Sequence, residues 1–231
     1  MAGSTHNNSS KNHKTRKNPA KWAAILKAAE IIFAEKGFHE ATIAAIAKKS
    51  KVSEATIYEY FSSKEELLFS IPARTTQAYE EKSREILKYI PGAANKLRFL
   101  VHSHLGLYAE NPDYANIIML TLKGHRNFQK TEAYKIVQSA ARKTIDVLEE
   151  GMQNGEFRSD IQPLLVRAIL WGTVENLVTR RCLLGKPDDL LGLADDIVNT
   201  IFDGILTSPK EPTINLKVKI EDNLKLKGGR S

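Results

Sequence analysis

The chain has 231 residues, enough for one large domain or a small one joined to a larger, and 42% of them are hydrophobic, which suits a substantial core. Its net charge is +7, and its single cysteine, Cys182, excludes an internal disulfide framework and a cysteine-built zinc site. No stretch approaches the ~20 apolar residues that span a bilayer, and the Asn/Ser/Lys-rich start lacks the apolar centre of a secretory signal, so a reduced, cytoplasmic protein is expected.

The charge is unevenly placed. Residues 1–21 hold five Lys/Arg and no Asp/Glu, residues 208–231 hold six basic and three acidic groups, and the body between them is close to neutral. Residues 1–18 read as a disordered basic arm, which either grips DNA phosphates by releasing their counterions or is a solvated leader. The 208–231 segment reads as a basic extended tail.

From Lys21 to Lys36, Trp22, Ile25, Ala29, Ile32 and Phe33 recur at helical spacing, and Gly37 stands where a C-terminal cap belongs. Thr42 can cap a short helix through Lys49, with Ile43, Ile46 and Ala47 on one face. After the turn Ser50-Lys51-Val52, Ser53 can cap a third helix through Tyr60. Ser63 with Glu66 three residues on makes a capping box that opens a fourth. Past Pro72 the helices lengthen, and we place them at about 73–90, 93–110, 113–123, 128–154, 161–184 and 188–206. The fold class expected is all-α, with a small domain over 19–71 and a larger one over 72–207.

Two short helices joined by a tight turn, packed behind a first helix, describe a helix-turn-helix module. Its second helix enters the major groove and its first crosses the backbone. The candidate DNA-binding residues are Thr42, Lys51, Ser53, Glu54, Ala55, Thr56, Tyr58, Tyr60 and Lys64. Thr42 and Ser53 are hydroxyls at helix N-termini, where free N–H groups meet a phosphate. Thr56 can touch a thymine methyl, Tyr58 and Tyr60 can donate to phosphates, and Lys64 adds a charge-assisted contact.

The run Phe33-x-x-x-Gly37-Phe38-x-x-x-Thr42-Ile43-x-x-Ile46-Ala47, then Val52-Ser53-x-x-Thr56-Ile57-Tyr58-x-Tyr60-Phe61-x-Ser63-Lys64-Glu65-x-Leu67-Leu68, resembles the signature of tetracycline-repressor-like (TetR) regulators. The resemblance implies an all-helical homodimer on a pseudo-palindromic operator in double-stranded DNA, released when a small-molecule effector alters the separation of its recognition helices. Two positions depart from the pattern. Lys51 stands where the family usually has glycine, at a cost on the order of 1 kcal/mol if the residue is left-handed. Glu54-Ala55 stands where small or basic residues are common, and Glu54 is either a specificity residue or a charge that favours the helix N-terminus.

Residues 73–207 resemble the acyl-CoA-responsive members of that family, which implies an apolar tunnel with basic groups near its mouth. The candidate ligand residues are Phe99, Tyr108, Tyr114, Ile118, Met119 and Trp171 in the tunnel, with Lys123 and Arg126 meeting a nucleotide phosphate. Most of these are also readable as ordinary bundle core. His102 and His104, two apart on a helix, face different ways and do not suggest a shared metal. No catalytic acid–base pair, Ser/His/Asp set or phosphate-cradling glycine loop presents itself, and no cofactor is expected. The segments 161–184 and 188–206 carry more apolar positions than one intramolecular face needs, which suits a homodimeric four-helix bundle. Two other readings stay open: a DNA-bound structural or division-related protein of the same fold, and a helical enzyme or ligand carrier.

Overall fold

The computed structural model describes residues 18–207; the arm before Asn18 and the tail from residue 208 lie outside the described residues. The described residues form helices joined by short turns, and their one strand-like feature is an isolated antiparallel bridge between Phe157 and Leu206.

Helix α1 (Pro19–Glu40) starts with Asn18 as N-cap, whose side chain accepts from the N–H of Ala20 at 2.9 Å. The helical path is interrupted at Gly37, at φ 72° and ψ 172°, a conformation open essentially to glycine alone. The chain then turns into α2 (Ile43–Ser50) and α3 (Glu54–Tyr60). Ile25, Leu26, Ala29 and Phe33 pack with Ile46 of α2, Ile57 of α3 and Leu67 and Leu68 of the next helix, all buried. Each buried aliphatic or aromatic side chain contributes roughly 1.5–3 kcal/mol, so helices too short to stand alone are held by one shared core.

Helix α4 spans Lys64–Leu87 without a break, where the sequence suggested a boundary at Pro72. An internal proline removes one hydrogen bond and crowds the preceding turn, at about 3 kcal/mol. Pro72 is itself buried, and the burial of Leu67, Leu68, Phe69 and Ile71 around it outweighs that cost. One rigid element therefore joins the small unit to the larger.

The larger unit contains α5 (Ala93–Glu110), α6 (Pro112–Asn116), α7 (Glu132–Gln153), α8 (Pro163–Leu184) and α9 (Ala194–Ile205). A π-helical turn, Ile117–Leu122, extends α6, and single 3-10 turns at Phe128–Lys130 and Leu191–Leu193 precede α7 and α9. Helix α7 packs across α4 and α5, α9 lies on α5, and α1 rests against α4, α6 and the π turn. The Gly151–Glu156 segment is structural. A Cβ at Gly151 would collide with the Phe157 ring, and the Glu156 carboxylate accepts from the N–H groups of Ala93 and Ala94, both at 3.0 Å, at the start of α5.

Candidate nucleic-acid interface and ligand cavity

The α2–α3 unit buries Ile43, Ile46, Ala47 and Ile57 and turns the opposite faces outward. Thr42 Oγ1 accepts from the Ala45 N–H at 3.2 Å, and Ser53 Oγ accepts from the Thr56 N–H at 3.0 Å, so both hydroxyls cap helices as their positions suggested. Ser53 Oγ also lies 2.9 Å from Thr56 Oγ1, which holds the Thr56 hydroxyl toward the start of α3. Lys51 is left-handed, at φ 58° and ψ 39°, and is the one non-glycine residue with positive φ among the described residues. The following N–H, of Val52, bonds back to the Ala47 carbonyl at 3.1 Å and closes the end of α2. The cost of that backbone is the price of a tight turn that leaves a cation beside α3.

Thr42, Lys51, Ser53, Glu54, Ala55 and Tyr58 are exposed together on this unit, with Tyr58 54% accessible. Lys48, passed over in the sequence, is exposed beside them and has no ion-pair partner among the described residues. Its signal was its place one residue before Lys49 on the outer face of α2.

Two expectations are corrected. Tyr60 is buried, not presented to a phosphate: its hydroxyl accepts from the Asn18 N–H at 2.9 Å and ties α3 to the start of α1. It lies three residues from Ile57 and shares that residue's inward face, whereas Tyr58 points out. Lys64 is likewise occupied internally. Its ammonium donates to the carbonyls of Phe38 at 2.7 Å, Ala41 at 2.9 Å and His39 at 3.4 Å, and sits 4.5 Å from the Phe38 ring centroid. An ammonium has three N–H donors, and here all three meet the carbonyl end of α1.

In the larger unit, a cleft of about 1000 Å³ opens between α1, α4 and α5, with Tyr114 of α6 and Asp195 of α9 at its edges. Of the sequence-selected ligand residues it brings Phe99 and Tyr114 to the wall. The others stand elsewhere. Tyr108 is buried behind Tyr114, with ring centroids 5.9 Å apart, and Met119 is core of the π turn beside the half-buried Ile118. Trp171 donates from Nε1 to Thr144 Oγ1 at 3.0 Å and packs on His104, centroid to centroid 4.6 Å. Lys123 is ion-paired with Glu175 of α8, and Arg126 is an exposed residue of the turn before α7. The π turn alters the helical register at Ile118, Met119 and Lys123 that the sequence reading carried through 113–123, whereas Tyr108 and Trp171 are engaged by packing on Tyr114 and His104.

The cleft wall mixes apolar side chains with the hydroxyls of Tyr79, Ser103 and Tyr114 and with charged groups on α1, α4 and α5. Burial pushes the Tyr79 phenol up to about 12, even though hydrogen bonds from Ser103 and Ser83 act in the opposite direction, and burial pushes Tyr114 to about 12 as well. Behind the wall, burial and then the Lys123 charge lower His104 to about 4, so its imidazole is neutral near pH 7. His102 instead reaches Asp195 at 3.0 Å, so the two histidines do face apart. Among the described residues no group of three His/Cys/Asp/Glu could hold a metal.

Residues 25–71 match the model of bacterial regulatory proteins of the tetR family, and residues 74–204 match that of the YsiA-like protein C-terminal region. The chain is a member of the TetR family. TetR proteins are DNA-binding transcriptional regulators rather than enzymes, and the all-helical fold with an N-terminal helix-turn-helix agrees. The chain is 28% identical over 185 residues to the fatty acid metabolism regulator protein of Bacillus subtilis, covering 80% of this chain and 95% of the relative. It is similar to the solved structure of the Bacillus subtilis regulator FadR in complex with stearoyl-CoA, at 27% identity and TM-score 0.75, covering 79% of this chain and 98% of that one. The fatty acid degradation regulator FadR from Bacillus halodurans aligns at 26% identity and TM-score 0.74, over 79% of this chain and 98% of its own. No helix among the described residues is long and apolar enough to cross a membrane.

Proposed function

We propose that this TetR regulator is a homodimeric repressor that releases its operator when a fatty acyl-CoA occupies the cleft between α1, α4 and α5. The observation that carries the DNA half is the exposed set Thr42, Lys51, Ser53, Glu54, Ala55 and Tyr58 on two short helices anchored by one core. With α3 in the major groove, the cap hydroxyls and Tyr58 fix register on phosphates, and Glu54, Ala55 and Thr56 meet base edges. The dimer is supported by Leu164, Leu165, Ile169, Leu183 and Leu184, all exposed on α8, which a second copy would cover. The effector is supported by the size of the cleft, at the top of the ~300–1,000 Å³ range of ligand sites, and by likeness to a regulator solved with stearoyl-CoA.

Helix α1 forms part of the cleft wall and also packs the helix-turn-helix, so an occupant displaces both together. The test is to select an operator from random duplexes and titrate its complex with palmitoyl-CoA. Sequence-specific binding that weakens as the ligand is added is the expected result. Specific binding with no response would favour a structural DNA-binding role, and absence of specific binding would refute the proposal.

A further inference from the structure

The sequence pointed to Lys123 and Arg126 as the cations for the effector's head. Neither lines the cleft, and Lys123 is already paired with Glu175. The charges that do line it divide into two classes. Lys27 is paired with Glu30 at 2.8 Å, and Arg98 is held by Asp195 and by Asn199, 2.9 Å away. Arg74 and Lys82, both exposed on α4 and both lining the cleft, have no carboxylate partner among the described residues. They are eight residues apart on one helix, hence about 12 Å along its axis.

We infer that the Arg74–Lys82 rim of α4 is the site for a phosphate-bearing head group, whose apolar tail enters the cleft along Phe99 and Leu107. This rests on the effector reading above and specifies its ligand as a multiply anionic amphiphile rather than a free carboxylic acid. Two free cations two helical turns apart suit two separated anionic groups, as a nucleotide head presents, and a single carboxylate engages one of them. Glu110, at the end of α5, also lines the cleft and disfavours an anionic head placed beside it. The uncharged hydroxyls of Tyr79 and Ser103 also line the cleft and suit a neutral acyl linkage. Arg74 in addition sits 5.7 Å from the Trp22 ring centroid, so a head group on Arg74 acts directly on α1.

That stacking supplies a site-specific readout. The chain has two tryptophans, Trp22 beside Arg74 and the half-buried Trp171 packed on His104. With Trp171→Phe as background, palmitoyl-CoA, free palmitate and coenzyme A are titrated against the full chain while Trp22 emission and calorimetric heat are followed. The same is done for Arg74→Ala/Lys82→Ala, Lys123→Ala/Arg126→Ala and Glu110→Gln. We expect the Arg74/Lys82 variant to bind palmitoyl-CoA on the order of a hundredfold more weakly, about tenfold per cation. Its palmitate affinity should change severalfold at most, and both residues are exposed, so the fold is kept. The Lys123/Arg126 and Glu110 variants should stay within about twofold of the parent.

The inference is overturned if the loss falls on the Lys123/Arg126 variant, if palmitate loses as much affinity as palmitoyl-CoA, or if Glu110→Gln raises affinity severalfold. In those cases acyl-CoA still binds, and the effector reading survives. Absence of any palmitoyl-CoA binding to the parent chain, with specific operator binding intact, defeats the effector reading and this inference with it.

Discussion

Replacing Lys64 by methionine separates its two possible roles, because the side chain keeps its length and loses the ammonium. The Phe38 and Ala41 carbonyls, at 2.7 and 2.9 Å, accept well-formed charge-assisted bonds, and the His39 carbonyl at 3.4 Å accepts a marginal one. Such bonds contribute about 1.5–3 kcal/mol each when buried. The ammonium is half-buried, so solvent screening lowers the two good bonds to a combined loss of roughly 2–3 kcal/mol. In a chain of this size that corresponds to a fall in Tm of roughly 5–10 °C. Scanning calorimetry measures it, while fluorescence anisotropy follows DNA affinity from 50 to 300 mM salt. The log–log salt slope should stay unchanged, since an ammonium occupied by three carbonyls neutralises no phosphate. An unchanged Tm together with a slope smaller by about 0.9 would refute this reasoning and return Lys64 to the DNA backbone.

Ile169→Arg places a charge on the exposed face of α8 and should convert a dimer to a folded monomer by light scattering; a monomeric parent chain at micromolar concentration would count against the α8 interface. Lys51→Gly relieves a left-handed backbone and should raise stability by about 0.5 kcal/mol net of the glycine's unfolded-state entropy, while reducing the salt slope of DNA binding by about 1; a loss of stability would mean that the lysine stem contributes packing. His104 is lowered in the folded state to about 4 from 6.5, so the unfolded chain binds more protons between those values. Stability from this group is therefore full above about pH 6.5 and falls, by about 3 kcal/mol in all, as pH drops toward 4. His104→Gln should lack that part of the acid slope in urea titrations, and an identical slope would disprove the assignment. Tyr58→Phe should weaken operator and random DNA alike, roughly fivefold for one hydrogen bond; a loss confined to the operator would show that Tyr58 reads bases.

Much of the small unit was legible because its signals are local. Thr42, Ser53 and Ser63 cap the helices they precede, and Gly37 and Lys51 take the positive φ their positions demand. The misreadings share one cause. Tyr60 and Lys64 carry groups that suit phosphate contacts, yet their partners, Asn18 and the Phe38–Ala41 carbonyls, lie between 23 and 42 residues away in the chain. Pro72 reads locally as a stop, and it lies inside α4 because long-range burial exceeds the local penalty.

Apolar periodicity, caps and turn residues are short-range properties, so the amino-acid sequence alone determined most of the helices, the helix-turn-helix and its outward hydroxyls. Which side chain is free to meet a ligand is a different kind of quantity, because it depends on what every neighbour has already satisfied. Tertiary packing settled that. It engaged Lys64 and Lys123, buried Tyr60 and Tyr108, and left Lys48 and Lys51 exposed on the helix-turn-helix and Arg74 and Lys82 at the cleft. A buried polar group must find a partner inside the protein, and the identity of that partner is fixed by three-dimensional proximity rather than by spacing along the chain.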